Sequence, residues 1–278
     1  MLNTKQIVVV AIVVVLMGAL LARPIKGLVT ENKERESAAE TSASSAFSLK
    51  SVSDVSKQGL NDGLAKEISD LEEKIANASG EEKLSLLKQL AQKWDDLAKY
   101  APQGFIYEEM AKISPKFEYW LKSGDAFRTA YTNLQDTAMA TALNRLAIQS
   151  YEKAVELDGN NLDAKTGLGA AMVTGTNNPM SGIAILREVV AKDPNNIHAN
   201  KTLGLFSLQS RQFDKAIERF KIVVALKPDA ESYFYLATGY ENIGLKSEAI
   251  AAFQKSKALA ADPTLSQFID RRIEELSK

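Results

Sequence analysis

The sequence predicts an all-α protein built as a stack of helix-turn-helix units, and three observations predict it. First, residues 197–229 read as two amphipathic helices joined by a tight turn. Ala199, Leu203 and Phe206 recur at helical spacing beside Gly204, and Ala216, Ile217, Phe220 and Val223 do the same after the turn. Second, that register recurs: Ala216 to Ala249 is 33 residues and Pro194 to Pro228 is 34. One helix pair cannot bury both its faces, so copies on either side are what it requires. Third, the stack is flanked by amphipathic stretches with one apolar and one charged face, which suits its ends.

Composition bounds the reading. A chain of 278 residues, 45% hydrophobic and 25% charged, folds as one sizeable domain or two small ones. A net charge of −1 gives no reason to expect nucleic acid. With no cysteine, a disulfide framework, thiolate chemistry and cysteine-held metals are excluded, which suits an oxidising compartment.

In chain order, residues 7–22 are an unbroken apolar run between Lys5 and Arg23. As a helix it spans ~24 Å against ~30 Å of hydrocarbon, and Lys5 and Arg23 can reach outward to the interfaces. It is a single transmembrane anchor within segment 1–27 or a signal peptide; cleavage after Ala22 would place Leu20 at −3, which favours the anchor. Lys26, Lys33 and Arg35 behind it favour a cytoplasmic domain by the positive-inside rule. The layout of a short polar start before the apolar run favours export, and the expectation adopted is a bacterial-type inner membrane with the folded part on the periplasmic side, the cytoplasmic face being the alternative. Residues 28–57, rich in Ser, Ala and Glu, read as a linker with an r.m.s. reach of about 30 Å, in which Phe47, Leu49, Val52 and Val55 either form a short adhesive helix or, the reading adopted, decorate the chain. Residues 58–83 carry Leu64, Ile68, Leu71 and Ile75 as a narrow seam. That seam either caps the stack or pairs with a second copy as a short coiled coil through 60–75.

The stack itself spans 84–263. Its units are 84–116, 117–160, 162–195, 197–229 and 230–263, with 264–278 as a capping helix whose Leu265, Phe268, Ile269 and Ile273 face inward. The 84–116 unit is degenerate, with Gln103 where a small residue belongs. In 117–160, Trp120, Gly124 and Phe127 mark the first helix and Ala147, Tyr151 and Ala154 the second. The separation of Gly124 from Ala147 is 23 residues where Gly204 and Ala216 are 12 apart. This surplus predicts a lengthened hairpin around 131–143 projecting from one edge, with Leu134, Met139, Leu143 and Leu146 able to form an apolar patch.

Leu203-Gly204, Ala216-x3-Phe220 and Pro228 fall where the tetratricopeptide repeat (TPR) family has L-G, A-x3-F and P, and on these residues the chain resembles that family, in its membrane-anchored bacterial form. Ala199 and Ser207 stand where the family has aromatics. The resemblance covers 84–278 and implies a right-handed solenoid whose first helices line a concave groove. Carried over unit by unit, it places in that groove Asp163, Thr166, Ala170, Val173 and Thr174, then His198, Lys201, Leu205, Leu208 and Gln209, then Glu231, Phe234, Thr238, Glu241 and Asn242. Val173, Leu205, Leu208 and Phe234 are either apolar anchors for a peptide or helix packing residues. The function implied is a membrane-tethered scaffold for protein or peptide partners, chaperone-like in envelope complex assembly or secretion. The alternative is a permanent subunit of a membrane complex, for example of cytochrome c maturation type, docking by its outer surface or by 131–143.

Chemistry is sparse. The one histidine, His198, sits beside Asn196 and Asn200 without metal-ligand partners at a useful spacing. Thr166-Gly167-Leu168-Gly169 resembles the start of a phosphate loop but lacks the third glycine and the lysine; the repeat register explains Gly169 and leaves Gly167 as an ordinary helix glycine. The expectation is therefore no enzyme, no cofactor, no metal and no small-molecule substrate.

Overall fold

The structure is a computed structural model that describes residues 47–278 except 133, 135, 136 and 177. The apolar run 7–22 and the linker up to residue 46 lie outside the described residues. Among the described residues no helix is long and apolar enough to cross a membrane.

The described residues form thirteen helices and no strand: α1 Leu49–Lys57, α2 Asp62–Asn77, α3 Gly80–Asp96, α4 Tyr100–Ile113, α5 Phe117–Thr132, α6 Thr137–Leu157, α7 Leu162–Gly175, α8 Pro179–Lys192, α9 Ile197–Gln209, α10 Phe213–Leu226, α11 Ala230–Asn242, α12 Lys246–Leu259 and α13 Pro263–Leu276. Helix starts follow local chemistry. Asn61, Asn161, Asn196, Asp229 and Asp262 each accept a backbone N–H in the first turn of the helix they precede, satisfying donors with no intrahelical partner. Turns within units use left-handed backbone at one slot: Gly244 joins α11 to α12 at φ 80°, and Arg211 joins α9 to α10 at φ 59°.

The compact body runs from Val52 to Lys278. Each first helix packs on its own second helix and on the second helix of the unit before. First helices of successive units also meet, α5 with α7, α7 with α9 and α9 with α11, whereas no comparable contact joins successive second helices. Closer approach on one side bends the stack toward that side, so the first helices line its concave face. The core follows the expected period: Leu186, Ala199, Ala216, Phe220, Ala237 and Phe253 are wholly buried. A Cβ at Gly204 would lie 2.8 Å from the Phe220 ring, which is why the hairpin 197–226 closes around a glycine.

Four expectations change. Residues 49–57, read as linker, form α1: Val52 and Ser53 are buried, Ser53 Oγ donates to Glu72 of α2, and Lys57 pairs with Glu72 at 2.8 Å. These partners lie far along the chain, beyond the reach of a local reading. The seam offered to a second copy through 60–75 is spent within one chain, where Ile68, Leu71 and Ile75 are buried. Gln103 is buried and donates to Asp95 Oδ1 at 3.1 Å, while the neighbouring Gly104 takes the close contact, with Phe127. The long hairpin is present, α5 and α6 having 16 and 21 residues against 13 and 14 in α9 and α10. Its apolar side chains form only part of the predicted patch: Leu143 is wholly buried and Leu134 is exposed, Leu146 is half-buried, and Leu134 and Met139 line a hollow of about 320 Å³ with Val52, Val55 and Pro102.

Candidate functional site on the concave face

The predicted groove residues divide into three groups. Leu205, Leu208 and Phe234 are half-buried and pack against the core of the last two units, and Val173 packs against the core formed by α8 and α9. They pack on the core and keep part of their surface accessible. Phe234 in addition stacks on Phe253 and on Phe268 of α13, with ring centroids 5.6 and 5.8 Å apart, and Glu241 is ion-paired with Arg272 of α13. The terminal helix thus covers part of the face that 230–242 was expected to offer.

A second group is bonded within the stack. Lys201 pairs with Glu231 at 2.6 Å, joining α9 to α11. Thr238 and Asn242 donate to the carbonyls of Phe234 and Thr238, and Thr174 donates to that of Ala170. Gln209 is exposed at the end of α9.

The third group is brought together around an open cavity. Asp163, Thr166, Ala170 and His198 line a hollow of about 450 Å³, and with them stand Asp125 and Arg128 of α5. These two were missed, yet the signal was available. Aligning Gly124 with Gly169 and Gly204 puts Asp125 and Arg128 at positions 9 and 12 of their unit, two of the groove positions used for the units downstream.

Tyr151 of α6 builds this corner. Its ring is fully buried between α5 and α7, and only glycines fit against it: a Cβ at Gly124 would lie 2.7 Å from the ring, and one at Gly167 2.4 Å. Gly167 is therefore not an ordinary helix glycine. The Tyr151 hydroxyl donates to Asp125 Oδ1 at 2.7 Å and accepts from Arg128 Nε at 3.2 Å. Burial pushes the Tyr151 hydroxyl well above its ordinary value, and the Asp125 charge adds to this, so it stays a donor. Burial also raises Asp125, opposed by the hydrogen bond from Tyr151 and by Arg128. For Arg128 burial works downward, but Tyr151 and Asp125 outweigh it and its value rises. His198 is lowered by burial first and then by Arg128, Lys201 and Lys227. A carboxyl group and a guanidinium fixed by Tyr151, and the imidazole of His198, thus face one concavity. The arrangement can exchange hydrogen bonds and charge with a ligand; among the described residues no group of three His, Cys, Asp or Glu side chains could hold a metal.

No protein-family model matches this chain, and no curated protein sequence matches it. Among solved structures it is similar to the crystal structure of MamA protein, with 25% identity, 64% of this chain and 91% of that one covered, and a TM-score of 0.49. It is similar to the MamA RS-1 ArsTM double mutant, with 22% identity, 66% and 96% covered, and a TM-score of 0.51. It is also similar to YrrB, described as a TPR protein with an unusual peptide-binding site, with 15% identity, 67% and 91% covered, and a TM-score of 0.47. The likeness to the MamA RS-1 protein shows a shared fold. Together with the helical hairpins in register, the all-helical character of the described residues is consistent with a solenoid of the TPR type.

Proposed function

We propose that this chain is an interaction scaffold that binds protein or peptide partners on its concave face and is held at a membrane by residues 7–22. The observation that carries the reading is the open cavity between α5, α7 and α9, lined by side chains that three successive units contribute. Packing of three successive first helices does not by itself require charged side chains at that open corner. Here a buried tyrosine and two glycines hold a charged pair in place. An extended polypeptide laid along the first helices would meet one unit after another. Tethering raises the local concentration of the groove near membrane-bound clients, so weak contacts suffice.

The side of the membrane belongs to the same proposal, with the folded part on the periplasmic side. Docking as a permanent subunit through 131–143 is the weaker reading, because Leu143 is buried and only part of the apolar patch, Leu134, remains exposed. Site-specific photocrosslinking in cells tests the choice. A photoreactive residue at Ala170 or Thr202 should give polypeptide adducts, and one at the exposed Lys153 should not. Adducts from Lys153 alone would overturn the groove reading.

A further inference from the structure

The polar pocket carries more chemistry than a generic groove needs. Two carboxylates, Asp125 and Asp163, face it against one guanidinium, Arg128, which leaves one negative charge formally uncompensated. His198 is the one further titratable side chain of the lining, held below its ordinary value by partial burial and by Arg128, Lys201 and Lys227. Lys201, the nearest lysine on α9, is already spent on Glu231. Asp163, in the first turn of α7, has no ion-pair partner among the described residues. Tyr151 occupies one oxygen of Asp125 and the Nε of Arg128, leaving the other carboxylate oxygen and the outer nitrogens of the guanidinium for a ligand.

We infer that this pocket receives a primary ammonium of the bound polypeptide, a lysine side chain or a free amino terminus, between Asp125 and Asp163, with Arg128 donating to an adjacent carbonyl oxygen. The inference rests on reading the concave face as a polypeptide-binding surface. Like charges at one cavity favour a cation between them, and an ammonium brings three donors to acceptors that lack them. A divalent metal would meet the positive charge of Arg128 in its own shell; a peptide ammonium comes with a carbonyl that uses it. The cavity of about 450 Å³ admits a side chain together with its backbone.

Fluorescence anisotropy of the full chain in mild detergent tests this, using carboxy-terminally labelled degenerate decapeptide pools. Four acetylated pools have Lys, Arg, Gln or Glu fixed at the centre, and a fifth has central Gln with a free amino terminus. The expected result is at least tenfold tighter binding of the acetylated Lys pool, or of the free-amine pool, than of the acetylated Gln pool; which of the two wins identifies the source of the ammonium. That preference should vanish in Asp163→Asn, an exposed change that leaves the fold alone, and in Asp125→Asn. Equal binding of all pools, or preference for Glu, would overturn the ammonium site while leaving the groove standing. Binding of no pool would overturn both.

Discussion

Tyr151 is the residue on which the concave pocket depends, and the two glycines against it make that testable. Gly167→Ala would put a methyl group within 2.4 Å of a ring that is buried and bonded at its far end, so the ring cannot simply swing away. The expected cost is roughly 1–3 kcal/mol, read as a lowered Tm. In a Tyr151→Leu background the same substitution should cost much less, because the clash is gone; equal costs in both backgrounds would place the role of Gly167 elsewhere. Tyr151→Phe removes two hydrogen bonds to charged groups while keeping the ring, and about 1–3 kcal/mol should be lost with no change in helical content. A second residue reports on pH. Asp229 precedes α11 and accepts from the Ser232 amide at 2.7 Å and its hydroxyl at 2.8 Å. Burial alone would raise its carboxyl, but these bonds outweigh it and hold it below the ordinary 3.8. A depressed carboxyl stabilises the fold fully above the unfolded value of 3.8 and loses that contribution as pH falls through the folded one. Asp229→Asn keeps a capping side chain without the titration. The Tm advantage of wild type over this variant should therefore shrink between pH 6 and pH 3, and a constant difference would contradict the assignment.

At the scale of helices, the hairpin 197–226 shows what a sequence can and cannot disclose. Its apolar spacing, its small residue at Gly204 and its large one at Phe220 are all local, so both helices and their mutual packing were legible. Phe220→Ala empties a fully buried site against Gly204 and should cost about 3–5 kcal/mol, with the loss of hydrogen-exchange protection concentrated in α9 to α11. Protection lost evenly over all helices would contradict a repeat-by-repeat architecture. The helix α1 was legible only as the lesser of two readings of Leu49, Val52 and Val55, because a nine-residue serine-containing segment has little helical drive of its own and is held by Glu72, well beyond any periodicity window. Asp125 and Arg128 were within reach of the repeat register, which already set Gly124 in the first helix of 117–160, and were missed because the groove positions were carried over only to the three units downstream of the lengthened hairpin. Engagement of Phe234 and Glu241 by α13 was hidden for a different reason: it depends on where a terminal helix folds back, which spacing alone does not encode.

For the whole molecule, the consequence is an uneven concave face. At the carboxyl end α13 lies on Phe234 and Glu241 and buries Ile269; nearer the amino end, α5, α7 and α9 leave the polar pocket open. In a stack whose units touch their neighbours alone, these two regions should be separable. Truncation after Ala261 removes α13 and exposes the apolar sides of Phe234 and Phe253. The expected outcome is loss of hydrogen-exchange protection in α11 and α12 and a greater tendency to self-associate, since an uncapped repeat presents its apolar face to solvent. Helices α5 to α8 should keep their protection, and the pocket between α5, α7 and α9 should keep its affinity for an amine-bearing peptide pool. Collapse of protection in α5 to α8 on the same truncation would mean that the stack folds as one indivisible unit, with the far cap holding the pocket in shape.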